Sequence, residues 1–180
     1  MNLDDIVLSV QQDVQRHCRE SKGYEESGWV NPLTPRDSVA AYALAKHLVE
    51  QNVFDQLVAV APEGHVYGYF FEKLGNPALS VYVDYPPRRC EALDDLSVIT
   101  GQRSLVLEDD VISGVTIAMV MAELLQHQPS SLSLLLGRAK EDQQLDSIPA
   151  EFEAIYLAED VLNESLRSEY EREFIAAFGN

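Results

Sequence analysis

The residues best equipped for chemistry stand together in Ser104-Leu105-Val106-Leu107-Glu108-Asp109-Asp110-Val111-Ile112-Ser113-Gly114-Val115-Thr116. An apolar run suited to a buried strand ends in carboxylates; small polar residues and a glycine follow, then the apolar helical stretch IAMVMAELL. Carboxylates at a strand's end can accept hydrogen bonds from a sugar diol, or hold a hydrated divalent cation through its waters. Ser113 to Thr116 lead into a helix, so their amides and hydroxyls can converge on one anion, helped by the positive end of the helix dipole. Gly114 permits the left-handed or close-approach geometry that such a loop requires.

Three further groups carry potential chemistry. Pro62-Glu63-Gly64-His65 follows the apolar run LVAVA and opens a helix, so Gly64 and the His65 backbone can offer N–H donors, whereas Glu63 is a poor neighbour for an anion unless a cation lies between them. Arg88 and Arg89 are an adjacent basic pair in a chain poor in cations, and guanidinium forks suit phosphoryl oxygens. Trp29, Tyr24, Tyr67, Tyr69 and Tyr85 can stack on a flat ring, although aromatics at such spacings more often pack a core. Cys18 and Cys90 lack the spacing and the clustered histidines of a zinc site.

The elements that must position these residues alternate. The periodicity predicts a helix over 3–20, a loop over 21–35 and a helix over 36–52 capped by Thr34 or Asp37. A strand at 57–61, a helix at 65–74 and a strand at 78–85 follow, then a polar stretch 86–103. Strands at 104–108, 131–137 and 153–159 and helices at 116–127 and 163–178 complete the chain. Strands joined through helices of ten or more residues imply right-handed βαβ units and a mainly parallel sheet. The expectation is a single doubly wound, Rossmann-like α/β domain over 1–180. Its core spans 36–160, and 1–35 and 161–180 form a small cap or hood. Ligands of such sheets bind in loops at the carboxyl ends of the strands.

Composition narrows the partners. The 13 Lys+Arg against 30 Asp+Glu give a formal net charge of −17, which disfavours nucleic acid and anionic membrane alike. No run of 18 apolar residues occurs, and the first residues carry acids where a signal peptide needs bases, so a reduced, cytoplasmic protein is expected. An anionic ligand can bind so acidic a chain only through local dipoles, local arginines or a metal ion.

The 104–116 segment resembles the PRPP-binding motif of the type I phosphoribosyltransferases: an apolar strand, paired acids, variable residues, then a small-residue loop ending in threonine. The gapless match sets Glu108 and Asp109 at the acidic pair and Ile112-Ser113-Gly114-Val115-Thr116 at the 5′-phosphate loop; a match through Asp109-Asp110 shortens the loop by one residue. The resemblance implies the type I fold and transfer of phosphoribosyl from PRPP to a nitrogenous base, with pyrophosphate released. It implies that Glu108 and Asp109 bind the ribose hydroxyls and Mg²⁺, the latter through water or PRPP. Glu63, Gly64 and His65 would form the pyrophosphate loop, and Arg88 and Arg89 would act catalytically on the leaving group from a mobile loop. A homodimer is what the likeness suggests. Two departures stand out: Ile112 occupies the position of the Asp general base of the 6-oxopurine enzymes, and the pyrophosphate loop has no lysine. They favour the alternative of a silent module that binds PRPP or a nucleotide as a sensor or interaction domain. A methyltransferase-like reading lacks the GxGxxG fingerprint after the first strand.

Overall fold

The computed structural model describes residues 2–28 and 33–179; Trp29 lies outside the described residues. Helix α1 (Leu3–Glu20) starts at Asn2, whose side chain accepts from the Asp5 amide, and turns Ile6, Val10, Val14 and Cys18 inward at helical spacing. A one-turn helix α2 (Tyr24–Ser27) follows within the expected loop. Helix α3 (Ser38–Glu50) is capped by Asp37, which accepts from the Ala40 amide at 3.1 Å.

Six strands form one sheet: β1 (Gln56–Ala61), β2 (Leu79–Asp84), β3 (Arg89–Ala92), β4 (Arg103–Glu108), β5 (Ser131–Leu136) and β6 (Phe152–Leu157). Their order is β3-β2-β1-β4-β5-β6, all parallel except β3, which runs antiparallel to β2 with Asp84 opposite Arg89. The doubly wound, mainly parallel α/β class is therefore as the sequence predicts. Helix α4 (Gly64–Lys73) connects β1 to β2, α5 (Val115–Leu125) connects β4 to β5, and α6 (Glu164–Phe178) closes the chain.

Both faces of the sheet are covered, which is why its strands read as unbroken apolar runs. Leu57, Ala59, Leu105, Leu107 and Leu135 pack with α1, α3, α4 and α6. Val58, Val60, Val106, Leu134 and Leu136 pack on the other face with Ile117, Val120 and Leu124 of α5 and with Leu96 and Ile99. The terminal segments take two positions. Helices α1 and α6 join the helical layer of the first face, with Phe174 fully buried there and Arg167 of α6 paired to Asp37 at 2.8 Å. Residues 21–28 instead reach the carboxyl rim of the sheet, where Gly23 (φ +87°) lies so close to Ala61 that a Cβ would stand 2.4 Å from the Ala61 Cβ.

Strands β1 and β4 are neighbours, but their following helices cross to opposite faces. The sheet therefore opens a crevice between their carboxyl ends, where the strand order reverses.

Candidate functional site

Two adjoining hollows occupy that position. The crevice proper, of about 160 Å³, lies between Pro62 and Glu63 after β1, Tyr82 and Tyr85 at the end of β2, and Glu108 and Thr116; Ser27 also reaches it. The second hollow, of about 200 Å³, is formed by Asp110 to Gly114 with Thr116 and Ile117, at the N-terminus of α5. Thr116 lines both, and its hydroxyl meets the Tyr85 hydroxyl at 2.8 Å.

The second hollow owes its shape to Gly114. Its φ of +73° is the left-handed conformation, and a Cβ there would stand 2.2 Å from the Ser147 carbonyl oxygen. The loop is fastened from below. Gln143, 7% exposed, accepts from the Val111 amide at 2.8 Å and donates to the Asp109 and Arg138 carbonyls at 3.3 Å, while the Gln144 amide bonds the Val111 carbonyl. The Val115 amide donates to Ser113 Oγ at 3.5 Å and the Ala118 amide to the Gly114 carbonyl at 2.9 Å, while the Thr116 and Ile117 amides, with no carbonyl one turn back within the helix, can serve an anion in the hollow. Ser113 and Ile112 lie on its rim, the latter 69% exposed.

The acids diverge. Side chains alternate along β4, so Glu108 and Asp109 leave the strand on different faces. Glu108, 3% exposed, lines the crevice and takes the Asp109 amide on its Oε1 at 2.9 Å. Burial, then the nearby Glu63, holds its carboxyl well above the ordinary range. Glu63 is also raised, by burial and then by Asp109 and Asp110. Asp109 turns to the α4 side, where Tyr67 donates to its Oδ1 at 2.5 Å and Arg138 to its Oδ2 at 2.6 Å. Both oxygens are thus taken within the protein. Arg138 also reaches Asp110 at 3.2 Å; Asp110 is raised by burial against that attraction. Tyr67 packs so tightly over Gly137 that a Cβ there would fall 1.7 Å from its ring.

The structure thus brings Glu63, Glu108 and Thr116 to the crevice and Ile112, Ser113, Gly114 and Thr116 to the adjoining hollow, whose lining does not include Val115. It does not bring the other predicted residues with them. The His65 ring is 5% exposed and faces a separate hollow of about 250 Å³ beside His17, Lys22, Ser80 and Asp94. Its Nε2 meets Ser80 Oγ at 2.9 Å, and burial, then His17, lowers its pKa to about 4. The His65 amide donates to the Pro62 carbonyl at 3.1 Å, which leaves Gly64 as the donor position of that turn. Gly64 is required there by packing, since a Cβ would stand 2.2 Å from the Leu107 carbonyl. Arg88 and Arg89 are exposed; Arg89 begins β3 and pairs with Glu91 at 3.2 Å, so the polar stretch holds a β-ribbon as well as a loop. Among the tyrosines, Tyr67 is bonded to Asp109 and Tyr69 packs against Phe70 and Phe178, while Tyr85 is exposed at the crevice. Cys18 is buried in α1 and Cys90 half-buried, both as free thiols.

Among the described residues no group of three or more His, Cys, Asp or Glu converges to cage a metal ion. The donor set nevertheless suits Mg²⁺, which is commonly held by one or two carboxylates with waters and ligand phosphates completing the shell. Glu63 and Glu108 face one crevice that has no Lys or Arg in its lining. Asp109, with both oxygens engaged, is not turned toward them.

Sequence reasoning did not reach Tyr67 as a partner of Asp109, Arg138 as its cation, Gln143 as the clamp or Ser27 at the rim. Only Arg138 left a trace, as the basic residue directly after a strand end. No helix among the described residues is long and apolar enough to cross a membrane.

No family model matches the chain, and no curated protein matches it in sequence. Solved structures resemble it in chain course. A hypothetical protein from Neisseria gonorrhoeae with bound ppGpp is 17% identical, with a TM-score of 0.48 over 79% of this chain and 96% of that one. A hypoxanthine-guanine phosphoribosyltransferase from Bacillus anthracis is 18% identical, with a TM-score of 0.48 over 71% and 83%. A purine phosphoribosyltransferase from Pyrococcus horikoshii is 16% identical, with a TM-score of 0.49 over 66% and 78%.

Proposed function

We propose that this protein binds a ribose bearing a 5′-phosphate and transfers the phosphoribosyl group of PRPP to a nitrogenous base, releasing pyrophosphate. The observation that carries the reading is the hollow of about 200 Å³ at the N-terminus of α5, lined by Asp110 to Gly114, Thr116 and Ile117. In this reading the 5′-phosphate accepts from amides of Ser113 to Thr116, and the ribose lies across Thr116 into the crevice toward Glu108. Thr116 exchanges its bond to Tyr85 for one to the ligand. Glu108 and Glu63 would hold Mg²⁺ with waters and ligand oxygens, and Asp109 supports Glu108 through its amide. When bound, the metal neutralises charge on the diphosphate. The chain's own part is positioning and charge stabilisation of an oxocarbenium-like transition state, with no protein nucleophile. Arg88 and Arg89, on the β2–β3 ribbon beside Tyr85, would close over the leaving group. The assembly carried by this reading is a homodimer, which light scattering after size exclusion tests.

A second reading, a silent module that senses PRPP or a nucleotide, is favoured by Asp109, whose carboxylate is fully engaged by Tyr67 and Arg138. Incubating the protein with PRPP, Mg²⁺ and a panel of nucleobases while measuring pyrophosphate separates the two. Turnover with any acceptor supports the transferase. Calorimetric binding of PRPP without pyrophosphate from any acceptor supports the sensor, and absence of binding overturns both.

A further inference from the structure

The crevice is lined by Ser27, Val60, Ala61, Pro62, Glu63, Tyr82, Val83, Tyr85, Glu108 and Thr116, and so offers two carboxyls and no cation. Glu63 stands at the turn between β1 and α4, half-buried; its carbonyl accepts from the Val66 amide at 3.1 Å, while its carboxyl has no hydrogen bond or salt bridge among the described residues. Arg138, whose charge acts on Glu63 without contact, is itself paired with Asp109 and Asp110. Arg89 is paired to Glu91. A 5′-phosphate lies beyond Thr116, at the helix N-terminus, where the one acid of the hollow, Asp110, is paired with Arg138 at 3.2 Å. A diphosphate on C1 of the same sugar meets the field of the crevice carboxyls.

We propose that Glu63 is a specificity-determining residue that separates two classes of phosphorylated ribose. Those with an uncharged substituent at C1 enter the crevice freely, and those with a C1 diphosphate enter only together with a divalent cation. Like charges without an intervening counter-ion repel strongly in a part-buried crevice, and a cation bridging Glu63 to the diphosphate reverses the sign. The inference rests on the phosphate site described above and adds the charge selectivity of its neighbour.

Ribose 5-phosphate and PRPP differ only in that diphosphate, so they isolate the effect. Calorimetry with each, in EDTA and then in Mg²⁺, is run on the wild type, Glu63→Gln and the remote surface variant Glu169→Gln. In EDTA the wild type binds ribose 5-phosphate at least about ten-fold more tightly than PRPP. Mg²⁺ closes that gap in the wild type, and Glu63→Gln narrows it to within about three-fold in EDTA, chiefly by tightening PRPP. Equal affinities for the two ligands in EDTA overturn the inference but leave the phosphate site standing. The same holds for a gap that Glu63→Gln does not change or that Glu169→Gln changes equally. Failure of both ligands to bind in either condition overturns the phosphate site, and the inference with it.

Discussion

At the scale of single residues, Gly114 decides whether the anion hollow exists. Its left-handed backbone disfavours any residue with a Cβ by about 1–2 kcal/mol, and the 2.2 Å approach to Ser147 adds a clash with backbone. Gly114→Ala is therefore expected to lose about 2 kcal/mol or more in urea unfolding and to weaken ribose 5-phosphate binding at least about ten-fold. A variant of unchanged stability and affinity would show that the loop tolerates what its geometry forbids. His65 plays a different part, as a neutral histidine buried against Ser80. Its folded pKa of about 4 lies below the value of 6.5 it would have when exposed. Above pH 6.5 neither state carries the proton, and His65 gives no pH dependence. As pH falls from 6.5 toward 4 the unfolded chain takes up a proton that the folded one refuses, so stability drops by up to about 1.4 kcal/mol per pH unit. Below about pH 4 both states are protonated and the loss ends. His17, lowered by burial in the same direction, steepens the fall. Urea unfolding at pH 7, 6 and 5 should show a shallower decline for His65→Asn than for the wild type, and parallel curves would contradict the neutral assignment.

At the scale of elements, the acid loop keeps its form because the segment after β5 holds it. Gln143 satisfies one amide and two carbonyls in a place with little access to water. Gln143→Leu leaves the Val111 amide without its acceptor and the Arg138 carbonyl without the Gln143 donor, while the Asp109 carbonyl keeps the Gly137 and Arg138 amides, and about 2 kcal/mol of stability is expected to go. A loss below about 0.5 kcal/mol in urea unfolding of Gln143→Leu would contradict the clamp. The sequence makes some of this visible and hides the rest for physical reasons. Strands covered on both faces, such as Leu57 to Ala61 and Leu105 to Leu107, show as short apolar runs, and the alternation of those runs with helices is enough for the fold class. Strand β3 is an edge strand with the residues Arg89-Cys90-Glu91-Ala92, largely exposed, and so leaves no apolar signature. The loop from Ile112 to Thr116 is local, continuous and readable. The partners of Asp109, namely Tyr67 and Arg138, lie 42 and 29 residues away, and no pattern along the chain links them. The divergence of Glu108 and Asp109 follows from strand alternation alone, yet a motif read as a string sets them side by side.

At the scale of the whole molecule, the sheet reverses its strand order between β1 and β4 and thereby creates an open crevice in an otherwise covered α/β sandwich. The chain carries a formal net charge of −17, so a free anionic ligand would approach against the field of the protein and, in the proposed reading, be held at short range by the dipoles at α5. Raising NaCl from about 0.01 to 0.15 M shortens the screening length from about 30 to about 8 Å, so the association rate of ribose 5-phosphate should rise with salt. A rate that falls would point to local steering by cations such as the exposed Arg88 and Arg89. The central claim is that a sugar phosphate sits on the turn from β4 into α5. The most direct measurement is a titration of the ¹⁵N-labelled protein with ribose 5-phosphate, followed amide by amide. The account predicts saturable shifts that are largest at Ser113, Gly114, Val115 and Thr116, with smaller ones at Glu63 and Tyr85. Shifts centred on the His17 and Lys22 hollow with those four amides unmoved, or no saturable shift anywhere, would contradict it.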